Sequence, residues 1–241
     1  MITIEKLEKS FSGRPVVRGL SFEAHDGAIT GLLGANGAGK TTTLRMICGV
    51  LKPESGRITI DHSTDAADSP QRQLQVGALL DHIGLYSRLT VRENLAYFGR
   101  LRGIPHQELG KRIDEVIAKL GLESIADRRT AGFSQGERMK TALGRAMLHS
   151  PKNLLLDEPT NGLDIPTVRS LRDLLKRLRD EGTCVVFSSH VLDEVRALCD
   201  RVVVISQGKI AAQGSTEELC SQTATASLED AFVKLTLPVE A

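Results

Sequence analysis

GLLGANGAGKTTTLRMI, residues 31–47, decides how this chain folds. An apolar run leads into the glycine-rich turn Gly34-x4-Gly39-Lys40-Thr41, and an amphipathic segment of helical period leaves it. That strand–loop–helix order is the setting a phosphate-binding loop requires. Glycines let backbone N–H groups converge on phosphate oxygens, and the helix N-terminus adds partial positive charge. Lys40 is placed to bridge terminal phosphates, and Thr41 offers a hydroxyl to Mg²⁺. At average residue usage the four fixed positions arise by chance in roughly one chain in a hundred, and the strand-to-helix context lowers that further.

Outward from this stretch, short apolar runs alternate with longer helical segments, the pattern of a mostly parallel sheet flanked by helices. The runs AITGLLG, NLLLD, TCVVFSS and RVVVIS read as its buried strands. ITIEKL, LSFEA and GRITID, the last after the KPESG turn, read as an antiparallel sheet beside it. From about residue 87 to 150 helix starts take over: a capping box at Thr90 and Glu93, a first-turn proline at Pro105, and a second capping box at Ser134 and Glu137. The region is therefore expected to be a helical insertion in an α/β domain spanning residues 1–214. Residues 215–241 are expected to add a short tail with two helices, TEELC and SLEDAFVKL. The polar stretch HSTDAADSP reads as a surface loop.

A chain of 241 residues can bury a sizeable core and fold alone. Its net charge of +1, with acids and bases mixed along the sequence, gives no basic field for nucleic acid or lipid headgroups. The four cysteines form no CxxC pair and sit in apolar contexts, as reduced, buried thiols of a cytosolic protein do. No signal peptide is evident, and no segment reaches the eighteen or so apolar residues of a membrane span. Any work at a membrane is then expected to go through a partner.

Two further strand ends carry chemistry. NLLLDEPTNGLD closes an apolar strand with Asp157 and Glu158, so that one carboxylate can serve Mg²⁺ and the next can orient or activate a water. TCVVFSSH ends in His190, which can reach the γ-phosphate and hold it against Glu158 and the water.

With GANGAGKT, FSQGE, LLLDEPTNGLD and SSH in this order over residues 2–214, the chain resembles the ATP-binding subunits of ABC transporters. The resemblance implies an ABC cassette of the P-loop NTPase class: a RecA-like core with an antiparallel β subdomain and an inserted helical subdomain. It implies ATP hydrolysis with Mg²⁺, coupled to a separate membrane permease at the cytoplasmic face of the membrane. It also implies a head-to-tail dimer of two copies, each ATP lying between the phosphate loop of one and the signature stretch of the other. Carried over residue by residue, Phe11 stacks on adenine, and Gly34, Ala35, Asn36, Gly37, Ala38, Gly39, Lys40, Thr41 and Thr42 cradle the phosphates. Ser134, Gly136 and Glu137 form the signature, and Asp164 sits at the dimer seam. Glu158 and His190 carry the catalytic roles, while Thr41, Asp157 and Asp81 surround the metal.

Three positions depart from the family pattern. Asp81 stands where a glutamine is usual, FSQGE where LSGGQ is common, and Ala35 where proline is common. Glu137 can either turn back to cap its own helix or face an anionic nucleotide; the capping box favours the first. GLYSRLTVRENL, FSQGERMKTALGRAM and EPTNGLD look most like exporter subunits, including those of sodium-export systems. A soluble ABC ATPase acting on ribosomes or DNA is the alternative, set against one cassette, no sustained heptads and a neutral charge. An unrelated P-loop kinase or GTPase would leave the signature unexplained and lacks an NKxD-like motif.

Overall fold

The computed structural model describes residues 1–63, 70–80 and 84–236, with the side chains of 70–72 set apart. Asp81 and most of the HSTDAADSP stretch lie outside the described residues. The chain opens with β1 (Ile2–Phe11), β2 (Arg14–Ala24) and β3 (Ile29–Leu33), followed by α1 (Lys40–Ile47), β4 (Ser55–Ile60), α2 (Pro70–Gln75) and β5 (Val76–Leu79). Next come α3 (Val91–Leu101), α4 (His106–Leu120) and α5 (Gln135–Met147). Then β6 (Asn153–Asp157), α6 (Ile165–Asp180), β7 (Cys184–Ser189), α7 (Leu192–Leu198), β8 (Arg201–Ser206) and β9 (Lys209–Gly214) lead to α8 (Thr216–Thr223) and α9 (Leu228–Thr236).

Two sheets follow from this order. β2-β1-β4 is antiparallel, and β5-β6-β7-β3-β8-β9 is parallel apart from its edge strand β9, which pairs antiparallel with β8. Every residue of β3, β6 and β7 is buried, which is why those strands read as unbroken apolar runs rather than alternating ones. β9 alternates exposed and covered residues, as an edge strand does, and β5 is only four residues long. Neither was expected as a strand. Gly77 admits β5 to the sheet, because a Cβ there would lie 2.3 Å from the Ala146 carbonyl oxygen.

The helical insertion shares its core with the sheet. Leu95, Leu109 and Leu143 belong to one apolar cluster with Leu154, Leu175 and Phe187, so α3, α4 and α5 are anchored to one face. The other face buries α1 and the antiparallel sheet, with Leu44, Ile47, Leu20 and Ile58 against Leu155 and Val186. Fully burying such a side chain contributes about 1.5–3 kcal/mol. α8 and α9 insert Leu219 and Leu228 into the first cluster, so the tail packs as part of the core. Pro105 precedes α4 at its N-cap rather than occupying its first turn. Cys48 and Cys184 are buried, whereas Cys199 and Cys220 are half-buried, and all four are free.

Candidate functional site

In a parallel sheet the C-terminal ends of the strands share one edge, and here β3, β6 and β7 deliver the phosphate loop, Asp157–Glu158 and His190 to it. The register is explicit: Leu33 lies opposite Ser189, and Asp157 opposite Ser188. Residues far apart in sequence therefore meet without any long loop having to be ordered.

The phosphate loop is held at its flanks and open at its tip. Ala35, Asn36 and Gly37 are exposed, while Gly34, Ala38 and Gly39 are buried, and Thr41 and Thr42 are half-buried. At Gly34 a Cβ would lie 2.4 Å from the Ile205 carbonyl oxygen, so only glycine fits against β8. Gly39 caps α1 with a φ of 106° and no side-chain hydrogen bond. The first N–H groups of α1 thus have no side-chain cap and offer donors to an anion. Lys40 is 5% exposed, and its Nζ donates to the Gly34 oxygen at 2.7 Å and to the Ala35 oxygen at 3.4 Å. The same ammonium lies 3.2 Å from Glu158 Oε1.

The carboxylates are positioned by hydroxyls. Thr41 Oγ1 donates to Asp157 Oδ2 at 2.7 Å, and Ser188 Oγ donates to Asp157 Oδ1 at 2.5 Å. Glu158 has a φ of 46°, a left-handed conformation that costs an L-residue about 1–2 kcal/mol. Its N–H donates to Ser188, at 3.0 Å to Oγ and 3.2 Å to the carbonyl oxygen, and the Glu158 carbonyl oxygen accepts from the Asn161 N–H at 3.1 Å. This turn sends the carboxylate back over the sheet edge, where Oε2 meets His190 Nδ1 at 2.8 Å. Lys40, Glu158 and His190 therefore form one row of polar contacts. A cavity of about 340 Å³ is bordered by Thr41, Leu79, Asp157, Glu158, Gln135 and Met139.

The signature stretch sits across this cavity. Ser134 Oγ accepts from the Glu137 N–H at 3.2 Å, and Glu137 Oε2 accepts from the Ser134 N–H at 2.8 Å, closing the capping box of α5. Glu137 also faces Arg128 at 3.3 Å. The Ser134 backbone bond, with Arg128 in support, holds its carboxyl below the usual carboxylate range. The side chain therefore turns back on its own helix. Gln135 Nε2 donates to the Asn161 oxygen at 2.6 Å, and Gly136 lies where a Cβ would approach Thr167 at 3.1 Å. The Thr167 N–H donates at 2.9 Å to Asp164 Oδ1, which caps α6. Hydrogen bonds from the Thr167 side chain and then its backbone keep the Asp164 carboxyl below its ordinary value.

Phe11 ends β1 with its ring 45% exposed and Lys9 Nζ 5.8 Å from the ring centroid. It pairs with Arg14, and Val16 farther along the same hairpin approaches Gly39, so the β1–β2 hairpin runs beside the phosphate loop. Sequence reasoning missed Ser188, which supports the Asp157 carboxylate and the Glu158 backbone. Its signal was present in the SSH stretch, as a hydroxyl in register with Asp157.

The profile of the ABC transporter family matches residues 17–161. The chain is 38% identical to the ABC transporter ATP-binding protein NatA of Bacillus subtilis, over 97% of each chain. It is 39% identical to the molybdenum import ATP-binding protein ModC of Brucella melitensis, over 81% of this chain and 55% of that protein. Among solved structures it resembles cbiO1 of Clostridium perfringens, described as part of the ABC transporter complex cbiONQ. The TM-score is 0.82 and the identity 29%, over 92% of this chain and 90% of that one.

Proposed function

The chain belongs to the ABC transporter family as an ATP-binding subunit with ATPase activity, and from that we propose that it powers export through a separate membrane permease. The carrying observation is the row Lys40–Glu158–His190 beside the Thr41–Asp157 pair, at the mouth of a phosphate loop. In the proposed scheme the loop N–H groups and Lys40 bind the phosphates of ATP, and Phe11 stacks on adenine. Thr41 and Asp157 offer two hard oxygens on one side of the loop. That donor set fits Mg²⁺, which takes one or two protein oxygens alongside substrate phosphates. The ion, when bound, neutralises charge on the phosphates.

Glu158 holds the attacking water and takes its proton as the water oxygen bonds to the γ-phosphorus. The bond from that phosphorus to the bridging oxygen breaks, and ADP leaves with the electron pair. His190 orients the γ-phosphate against Glu158. A second copy, arranged head to tail, presents Ser134, Gly136 and the N-terminus of α5 to the same phosphate, with Asp164 at the seam. Residues 1–214 form the catalytic unit of this scheme.

No described helix is long and apolar enough to cross a membrane, so the chain would reach the membrane through the permease. The docking groove lies between the insertion and the core, at a cavity of about 260 Å³ lined by Val50, Gln73, Ala78, Leu80, Arg102 and Arg145. Tyr86, Tyr97 and Leu101 are exposed on the insertion. cbiO1, which its description places in a transporter complex, supports a partnered subunit. Export, with the sodium-export subunits as the nearest pattern, rests on the GLYSRLTVRENL and EPTNGLD stretches; the permease selects what is carried. Glu158→Gln tests the scheme: ATP turnover should fall and ATP should hold two copies together. Turnover near wild type would remove Glu158 from the water-activating role.

A further inference from the structure

Behind this row of polar contacts, on α7, lies Glu194, a carboxylate only 9% exposed. A buried carboxylate is costly unless its oxygens are well served, and Glu194 forms no ion pair among the described residues. One oxygen is served instead by two hydroxyls: Thr160 Oγ1 donates to Oε2 at 2.7 Å, and Ser189 Oγ donates to the same oxygen at 2.9 Å. Thr160 is 8% exposed and Ser189 is fully buried. Ser189 Oγ in turn accepts from the Val191 N–H at 2.9 Å.

The chain positions give this arrangement its meaning. Thr160 is two residues beyond Glu158, and Ser189 immediately precedes His190. A single carboxylate oxygen thus ties together the two turns that carry the partners of the 2.8 Å Glu158–His190 contact. The Glu158 turn is also the one with the left-handed backbone, which persists only where its surroundings hold it. Bonds of a hydroxyl to an ionised acceptor are stronger than neutral ones, and here both protons are committed to Glu194. With the Ser189 hydroxyl so oriented, its lone pair is left for the Val191 N–H, and this fixes the backbone on both sides of His190.

We propose that Glu194 is a positioning residue for hydrolysis: it clamps the turn after Glu158 to the turn before His190 and so sets the geometry of that pair. The proposal rests on the roles given above to Glu158 and His190. A purely local role, as an acidic residue in the first turn of α7, would stabilise that helix and leave the reacting pair alone.

The test is single-turnover ATP hydrolysis by the purified full chain, with ATP affinity measured separately. Glu194→Ala should lower the hydrolysis rate on the order of 10²-fold, the scale of a small misplacement of reacting groups, with ATP affinity retained. Glu194→Gln, whose amide oxygen can accept from both hydroxyls, should recover most of that rate. Thr160→Val and Ser189→Ala, each removing one arm, should fall between them and cover the case in which Glu194→Ala does not fold. A double-mutant cycle supplies the readout that a structural role does not move. If Glu194 acts through His190, Glu194→Ala should cost little in a His190→Ala background. Additive effects, or a Glu194→Ala rate near wild type, would overturn the proposal. A His190→Ala protein with full activity would instead overturn the scheme on which it rests.

Discussion

Replacing Glu137 by glutamine separates a helix cap from a nucleotide contact. The carboxylate accepts from the Ser134 N–H at 2.8 Å and meets Arg128 at 3.3 Å, with the side chains of Glu137 and Arg128 29% and 54% exposed. A glutamine oxygen can keep the first bond, so what is lost is charge. Charge at an exposed helix N-terminus contributes about 0.3–1 kcal/mol, and an exposed ion pair about 0–1 kcal/mol. The loss in unfolding free energy should therefore stay near 1 kcal/mol, as read by urea titration at neutral pH. Because the Glu137 carboxyl is held below its ordinary value of 4.5, its contribution is present above that pH and is lost as pH falls through the lower folded value. The difference between the two proteins should then shrink in acid. In a Glu158→Gln background, chosen because the proposed scheme slows ATP turnover there, light scattering should show ATP-driven association little changed by Glu137→Gln. A tenfold gain in association, equivalent to about 1.4 kcal/mol, would mean that the carboxylate faces the nucleotide, and would refute the assignment as a cap.

Three further outcomes are expected. Gly34→Ala should abolish ATP binding measured by fluorescent nucleotide displacement, because the added Cβ would lie 2.4 Å from the Ile205 oxygen and the loop must move to relieve it. Burial, with Arg102 beside it, pushes the His149 imidazole down to about 4. The unfolded chain therefore binds the extra proton first, and stability should decline as pH falls from about 6.5 towards 4. At 1.36 kcal/mol per unit the change is about 3.4 kcal/mol, and partial exposure reduces it to about 2 kcal/mol. His149→Gln should flatten that slope in urea titrations between pH 7 and 5. Arg88, exposed and without an ion pair among the described residues, is the clean probe of the proposed permease contact on the insertion. Arg88→Glu should weaken assembly in a pull-down with the permease and leave ATP binding intact, whereas Arg92→Glu should also destabilise the insertion by breaking its pairs with Asp114 and Asp127.

What could be read from sequence, and what could not, divides along a physical line. β3, β6, β7 and β8 were legible because strands buried on both faces must be apolar throughout. Asp157, Glu158 and His190 were legible because they end such strands, and a parallel sheet brings those ends to one edge. β9 was not, since KIAAQG is an exposed edge strand without an apolar run, and β5 was not, since its four residues follow directly on α2. Gln135 and Glu194 escaped for a different reason. Their partners, the Asn161 oxygen and the Thr160 and Ser189 hydroxyls, are fixed by how turns from β6 and β7 settle against α5 and α7. No local pattern of residue types encodes that meeting.

In the free chain three groups of the proposed nucleotide site already have partners. Lys40 is spent on Gly34, Ala35 and Glu158, Thr41 on Asp157, and Glu158 on His190. With Lys40 and Glu158 at 6% and 20% side-chain exposure, removing one partner of such a pair without replacement would cost several kcal/mol. In the proposed scheme, ATP draws Lys40 away by offering phosphate oxygens in place of the carboxylate and carbonyl oxygens it leaves. That exchange takes the ammonium off Glu158 Oε1 and opens this oxygen to a water. Within that scheme, binding of the phosphates and opening of the Glu158 carboxylate to water are a single event, so the water is held only when there is a phosphate for it to attack.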